Sequence, residues 1–290
     1  MKVTGFSFIR NAIKYDYPIV EAITSILPVC DNFVIAVADS DDKTMDLIES
    51  ISTKKIHIVK TKWDDGLREG GRVLAMETNK AFAEIGQDSN WAFYIQGDEV
   101  LHEKYLDNIY SSMKKWGNAT NVDGLLFNYL HFYGSYDYVG ESLHWYRREI
   151  RIIKNDKKIY SYRDAQGFRK NDNQKLNVKH VDACMYHYGW VKNPVAMQGK
   201  HLSFNKYWHD DEWMEKHVAR ADEFDYSNID ALRQFTGSHP AVMKERIKRK
   251  NWSFDYDISC NHYSFKNRLK RSIEKIFGFR IGEYRNYKII

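Results

Sequence analysis

Asp98 and Glu99 are adjacent carboxylates that follow directly on the apolar run at residues 91–95 and on Gly97. Hard divalent ions such as Mg2+ and Mn2+ prefer oxygen donors and are commonly held by one or two carboxylates together with phosphate oxygens, so this pair is a candidate cation site. Gly97 allows the backbone to approach a ligand closely. The same residues admit another use, in which Asp98 caps a helix over LHEKYLDNIY and Glu99 complements its dipole. A second acidic cluster, Asp39-Ser40-Asp41-Asp42, closes the apolar run at residues 33–38 and precedes Lys43-Thr44. A carboxylate there can accept a hydrogen bond from a nucleobase N–H, or can simply form an acidic turn ahead of a helix.

The elements that must position these groups alternate between strand and helix. Residues 3–9 form a β-branched and aromatic strand. The segment PIVEAITSILPVC places Ile19, Ala22, Ile23, Ile26 and Leu27 at helical spacing, with Pro18 tolerated in the first turn. Residues 33–38 read as a buried strand, 44–50 as a short helix, 56–59 as a third strand, 72–84 as a strong helix and 91–95 as a fourth strand. Four strands with three intervening helices imply a mainly parallel sheet covered by helices. Both acidic clusters then lie at carboxyl ends of strands, where open α/β sheets bind their ligands. From Asp123 to Tyr188 short aromatic and β-rich runs, such as GLLFNYLHFY and EIRIIK, extend the sheet in mixed fashion. The boundary of this α/β domain falls near residue 235, and residues 236–290 form a basic, mainly helical extension.

Composition narrows the class. At 290 residues a substantial core is available, and 43% hydrophobic with 29% charged residues is ordinary globular usage. The 15% aromatic content suits stacking on bases or sugars and equally suits a packed core. Cys30, Cys184 and Cys260 are odd in number and show no C-x-x-C spacing, which argues against a disulfide framework or zinc knuckle and for a reducing compartment. Residues 1–9 run straight into Arg10-Asn11 without the apolar core of a signal peptide, and no run approaches the ~18 apolar residues of a spanning helix. A cytoplasmic protein, soluble or peripherally attached, is expected. The net charge of +5 is concentrated after Lys244, with no nucleic-acid-binding motif beside it.

The segments FSFIRNAIKYDYPIVEAITSILPVCDNFVIAVADSDDKT, GGRVLAMETNKA and WAFYIQGDEVLHE resemble, in order and spacing, the N-terminal half of family 2 glycosyltransferases of the GT-A fold. The resemblance spans about residues 3–190. It implies that Arg10 and Asn11 lie beside the nucleotide, that Asp39, with Asp41 in the same D-S-x-D-x-T stretch, contacts the base, and that Arg72 approaches the diphosphate or base. Asp98 would be the principal metal-linked carboxylate of a DXD-type motif and Glu99 its neighbour. The first Asp of that motif is Gln96 here, which brings no charge to metal or ribose. The implied cofactor is Mn2+ or Mg2+, neutralising the leaving nucleoside diphosphate while a carboxylate deprotonates the acceptor hydroxyl. YSYRDAQGFRK offers Asp164 as that base, with Glu149 and Asp182 as rivals. HVDACMYHYGWVKNP resembles the late segment in which some GT-A enzymes place a histidine that completes the metal shell, here His187.

The expectation is therefore an inverting, metal-assisted transfer of a sugar from a nucleotide-diphosphate sugar to a saccharide or lipid-linked acceptor in surface polysaccharide synthesis. The alternatives are a nucleotidyltransferase, although SFIRNAIKYDYP lacks the glycine-rich phosphate loop such enzymes carry, and a nucleotide-sugar-binding protein without glycosyl transfer. In the tail, Phe265, Leu269, Ile273, Ile276 and Phe277 share a face among Lys266, Arg268, Lys270, Arg271 and Lys275. Such a helix either lies on an anionic membrane or docks its apolar face on the domain and leaves its basic face solvated.

Overall fold

The computed structural model describes residues 1–218, 221–278 and 280–290, except the side chain of residue 275. The first part alternates as the residue pattern requires: β1 (Val3–Ile9), α1 (Ile19–Ile26), β2 (Asn32–Ala38), α2 (Thr44–Glu49), β3 (Ile56–Thr61), α3 (Arg72–Ala83) and β4 (Trp91–Tyr94). These four strands are parallel in the order β3-β2-β1-β4. Successive residues of β2 serve opposite cores, which is why it reads as continuously apolar. Phe33, Ile35 and Val37 pack with α1, and Val34 and Ala36 face the side covered by Ala81 and Phe82 of α3.

After β4 the chain departs from the helix expected over LHEKYLDNIY. It makes a short strand, β5 (Glu99–Leu101), and the helix α4 (Leu106–Trp116) starts later. Asp98 therefore caps no helix. The sheet then continues through β6 (Gly124–Tyr133), β7 (Tyr138–Gly140), β8 (Arg148–Lys154), the hairpin β9 (Ile159–Tyr162) and β10 (Gly167–Lys170), and the long β11 (Gln174–Trp190). β8 runs antiparallel to both β4 and β6, and β6 is parallel to β11. The result is the mixed α/β sheet flanked by helices expected of a GT-A fold, with its N-terminal half wholly parallel.

The remainder comprises α5 (Pro194–Asn205), α6 (Asp211–His217), β12 (Leu232–Gln234), α7 (Lys244–Lys248), α8 (Phe265–Phe277) and β13 (Tyr287–Ile289). Residues 236–290, expected to be mainly helical, hold the α-helices α7 and α8 among longer irregular segments and are tied to the sheet. Arg246 of α7 pairs with Asp16 and Glu21, and β13 adds to β11 in parallel. α8 docks in the sense opposite to a packed amphipathic helix. Arg271 pairs with Glu141, and Glu274 with Arg147 and Arg280, so the polar side faces the body. Phe265 is 85% exposed, Ile276 73% and Phe277 75%. Among the described residues no helix is long and apolar enough to cross a membrane.

Candidate active site

A cleft of roughly 280 Å³ opens at the carboxyl ends of the parallel strands, and Arg10, Gln96, Asp98, Asp164 and His187 all line it. Asp39, at the end of β2, stands at its rim. The Asp39 carbonyl accepts from Arg10 Nε at 2.9 Å, and its carboxylate accepts from the Trp63 backbone N–H at 3.4 Å. Arg10 and Trp63 both line the cleft and Asp39 itself does not, so Asp39 adjoins the space of Asp98 through these two neighbours. The Lys206–Tyr207 segment after α5 closes over one edge, where the Tyr207 carbonyl accepts from Gly71 N and the Lys206 carbonyl from Arg68 Nε.

Asp98 is fixed through its main chain, its carbonyl accepting from Tyr188 N on β11 at 2.8 Å. One carboxylate oxygen, Oδ2, accepts from Lys200 Nζ at 3.0 Å. The other, Oδ1, lies 3.7 Å from His187 Nε2, too long for a hydrogen bond. Burial alone would raise this carboxyl, but the neighbouring cations, Lys200 foremost, outweigh that effect and hold it well below the usual carboxylate range.

The tautomer of His187 follows from its neighbours. His131 sits opposite it in the β6–β11 register. His131 Nε2 is 2.8 Å from the Tyr146 carbonyl, which can only accept, so the ring proton is on Nε2. Burial, reinforced by His187, pushes His131 well below its ordinary value and keeps it neutral, so its Nδ1 carries a lone pair. His187 Nδ1, 3.1 Å away, must donate to it. Burial also lowers His187, and its Nε2 therefore presents a lone pair toward Asp98. Two acceptors thus face each other with no proton between them. Gly189 keeps the adjoining space open, since a Cβ there would lie 2.6 Å from His187 Nε2 and 2.8 Å from Asp98 Oδ2. Oxygen and imidazole donors flanking an open space fit a divalent cation completed by phosphate oxygens and water. Among the described residues no group of three or more His, Cys, Asp or Glu side chains converges for a metal.

Glu99 belongs to the fold rather than to the cleft. It has no exposed surface, and its carboxylate accepts from Arg151 Nε at 2.8 Å, Arg151 Nη2 at 2.7 Å, the Tyr129 hydroxyl at 2.7 Å and Gln96 N at 3.1 Å. Arg151, equally buried, also donates to the Ile150 and Gln166 carbonyls. The ligand role expected of Glu99 is thus displaced by a saturated buried ion pair. Arg72 likewise falls outside the cleft lining, exposed at the start of α3 and paired with Glu69. Asn11 and Asp41 brace two loops. Asn11, at φ 53°, accepts from Asp41 N at 2.7 Å, and Lys14 pairs with the Asp41 carboxylate.

Asp164 lies in the loop between β9 and β10, flanked by Arg163 and Ala165 at positive φ. Gly71, itself at φ +69°, packs so closely that a Cβ would lie 2.9 Å from that of Asp164. Burial raises the Asp164 carboxyl above its ordinary value, against the lowering influence of backbone N–H groups and Arg163. Gln96 donates to the Ala165 carbonyl at 3.3 Å and so ties the end of β4 to this loop. Of the rival bases, Asp182 is exposed on β11 outside the cleft lining. Glu149 is buried beneath it, pushed up to about 8 by burial, with Oε1 accepting from Gln166. Residue types alone pointed to neither Lys200, His131 nor Arg151. Cross-strand register carries His131, and helix packing carries Lys200.

No protein-family model matches the sequence, and no curated protein matches it either. Solved structures do. S. aureus TarS 1–349 matches with a TM-score of 0.40 at 14% identity over 70% of this chain and 64% of that one. 4-Diphosphocytidyl-2C-methyl-D-erythritol synthase from Anaerococcus prevotii matches with a TM-score of 0.40 at 12% identity over 71% and 95%. Glucosyl-3-phosphoglycerate synthase from Mycobacterium tuberculosis, in complex with Mn2+, UDP and phosphoglyceric acid, matches with a TM-score of 0.31 at 13% identity over 45% and 43%. The chain spans between 37% and 64% of the length of the TarS structures it matches.

Proposed function

We propose that this protein is a glycosyltransferase that moves a sugar from a nucleotide-diphosphate sugar to a hydroxyl of a saccharide or lipid-linked acceptor, with inversion. The observation that carries the reading is the pairing of the Asp98 carboxylate with the unprotonated Nε2 of His187 across the space kept free by Gly189, in the cleft that Asp164 also lines. Asp98 and His187 would hold Mn2+ or Mg2+, which supplies positive charge to the leaving diphosphate. Asp39 and Arg10, whose guanidinium lies over the Trp63 ring, form the rim suited to the nucleoside, through a carboxylate acceptor and a cation. Asp164, made more basic by burial, takes the acceptor's hydroxyl proton as the oxygen attacks the anomeric carbon, and the bond to the diphosphate breaks with its electrons leaving on phosphate oxygen. The α/β domain to residue 235 carries the chemistry. The 236–290 segment holds it at the anionic inner face of a membrane through α8, which suits a lipid-linked acceptor in surface polysaccharide assembly.

Release of nucleoside diphosphate from a panel of UDP-, GDP-, CDP- and dTDP-sugars, with and without Mn2+, tests the reading. Diphosphate release that increases with acceptor, and falls at least a hundredfold in Asp164→Asn with donor affinity unchanged, is the expected result. Pyrophosphate as the product would instead make the protein a nucleotidyltransferase, and donor binding without turnover would make it a binding protein.

A further inference from the structure

The cleft contains a cationic group that the metal reading does not use. Lys200, on α5, donates to Asp98 Oδ2 at 3.0 Å and to the Gly189 carbonyl at 2.9 Å. It thus touches the same carboxylate and the same glycine that bound the space beside His187. Its side chain lines the cleft at 13% exposure, and its ammonium lies 5.0 Å from the centre of the Tyr17 ring. The charges around it are uneven. Glu99 is neutralised by Arg151, and Gln96 contributes none, so Asp98 is the acid that Lys200 meets at the cleft floor. A diphosphate entering there meets an ammonium already desolvated and held in place.

On the reading of this cleft as a nucleotide-sugar site, we propose that Lys200 is the protein's own counter-ion for the donor diphosphate. Its ammonium rests on Asp98 in the empty cleft and turns to the phosphates when the donor enters. A lysine is suited to this exchange because its charge is a compact point on a flexible four-carbon stem, able to change partner without moving the helix. A divalent ion and Lys200 are then alternative partners for Asp98. An ion at Asp98 and His187 releases the ammonium to the diphosphate, and without an ion the ammonium still supplies one positive charge there. An amide at Gln96 fits this arrangement, since a second carboxylate would compete with phosphate for the same ammonium.

Calorimetric titration of UDP, GDP, CDP and dTDP into the wild-type protein, Lys200→Gln and Lys200→Arg, each in EDTA and in Mn2+, tests the proposal. The wild type binds one of these nucleotides in EDTA. Lys200→Gln weakens that metal-free binding by about 10- to 100-fold, the worth of a hydrogen bond to a charged group. Lys200→Arg retains most of it, and the gap between wild type and Lys200→Gln persists in Mn2+, where the ammonium no longer has to leave Asp98. Mn2+ titrated alone binds Lys200→Gln more tightly than wild type, because its competitor for Asp98 is gone. Equal metal-free affinities in wild type and Lys200→Gln, or wild-type binding that requires Mn2+, would overturn the assignment and leave the nucleotide-sugar reading standing. Absence of binding under every condition would overturn that reading and this proposal together.

Discussion

Replacing Glu99 by Ala separates a role in the fold from a role in metal binding. The side chain accepts four hydrogen bonds, two of them from Arg151, and neither partner of this ion pair has exposed surface. Its removal leaves the guanidinium charged between the rings of Tyr94 and Tyr129, 5.3 and 5.2 Å from their centres, with no carboxylate to balance it. Breaking a buried pair from one side costs about 3–5 kcal/mol. With an unfolding entropy of about 2.1 cal/mol/K per residue, or about 0.6 kcal/mol/K for this chain, the midpoint should fall by roughly 5–8 °C. Removing both charges, as Glu99→Met with Arg151→Met, should recover much of the loss, because no unpaired charge remains buried. Thermal and urea unfolding followed by circular dichroism, beside Mn2+ affinity measured on the same samples, gives both readouts. A Glu99→Ala protein that melts with the wild type but has lost Mn2+ would refute the reasoning. Asp98→Asn differs in the second readout: Mn2+ binding should be lost, beside a stability loss of its own because Lys200 is left without its carboxylate.

Burial holds the Glu149 carboxyl at about 8, so the folded protein keeps a proton that the unfolded chain gives up near pH 4.5. Its contribution is fully present below that pH and is lost as pH rises through about 8, at up to about 1.4 kcal/mol per pH unit. Urea titrations at several pH values should show this decline in wild type and a flatter profile in Glu149→Gln, and parallel profiles would contradict the assignment. For α8, co-sedimentation with vesicles containing phosphatidylglycerol should retain the wild type and lose a Phe265→Ser, Leu269→Ser, Phe277→Ser variant. Equal retention would show that the exposed stripe does not face lipid.

The parallel half of the fold was legible because burial on both faces leaves a local trace. β1 is rich in β-branched and aromatic residues, β2 is a continuous apolar run from Phe33, and α1 carries its core stripe at helical spacing. β5 was not legible. Glu99–Leu101 is three residues long and exists by pairing with β11, whose residues 185–187 lie some 85 positions away, so the helical pattern of LHEKYLDNIY prevailed over it in the sequence. The same separation hid the fate of Glu99. An acidic dyad after a strand announces carboxylates, but not that one of them meets an arginine from β8. The tail shows the opposite case. Its amphipathic spacing was plain, yet which side docks depends on Glu141 and Arg147, far away in the chain.

Gln96 brings these strands of reasoning together. Judged by charge alone, an amide here offers nothing to a cation. In the structure it is a donor. Its Nε2 reaches the Ala165 carbonyl at 3.3 Å, and an ionised Asp at this position has no proton to offer there. Its backbone N–H meanwhile donates to Glu99. Position 96 thus links the buried Glu99–Arg151 pair below to the loop of Asp164 above, while Asp98 carries negative charge into the cleft. Within four residues the chain assigns charge to Asp98, loop position to Gln96 and structural anchoring to Glu99. With that division the cleft gathers a carboxylate, an unprotonated imidazole and a raised carboxyl around one space although position 96 carries no charge.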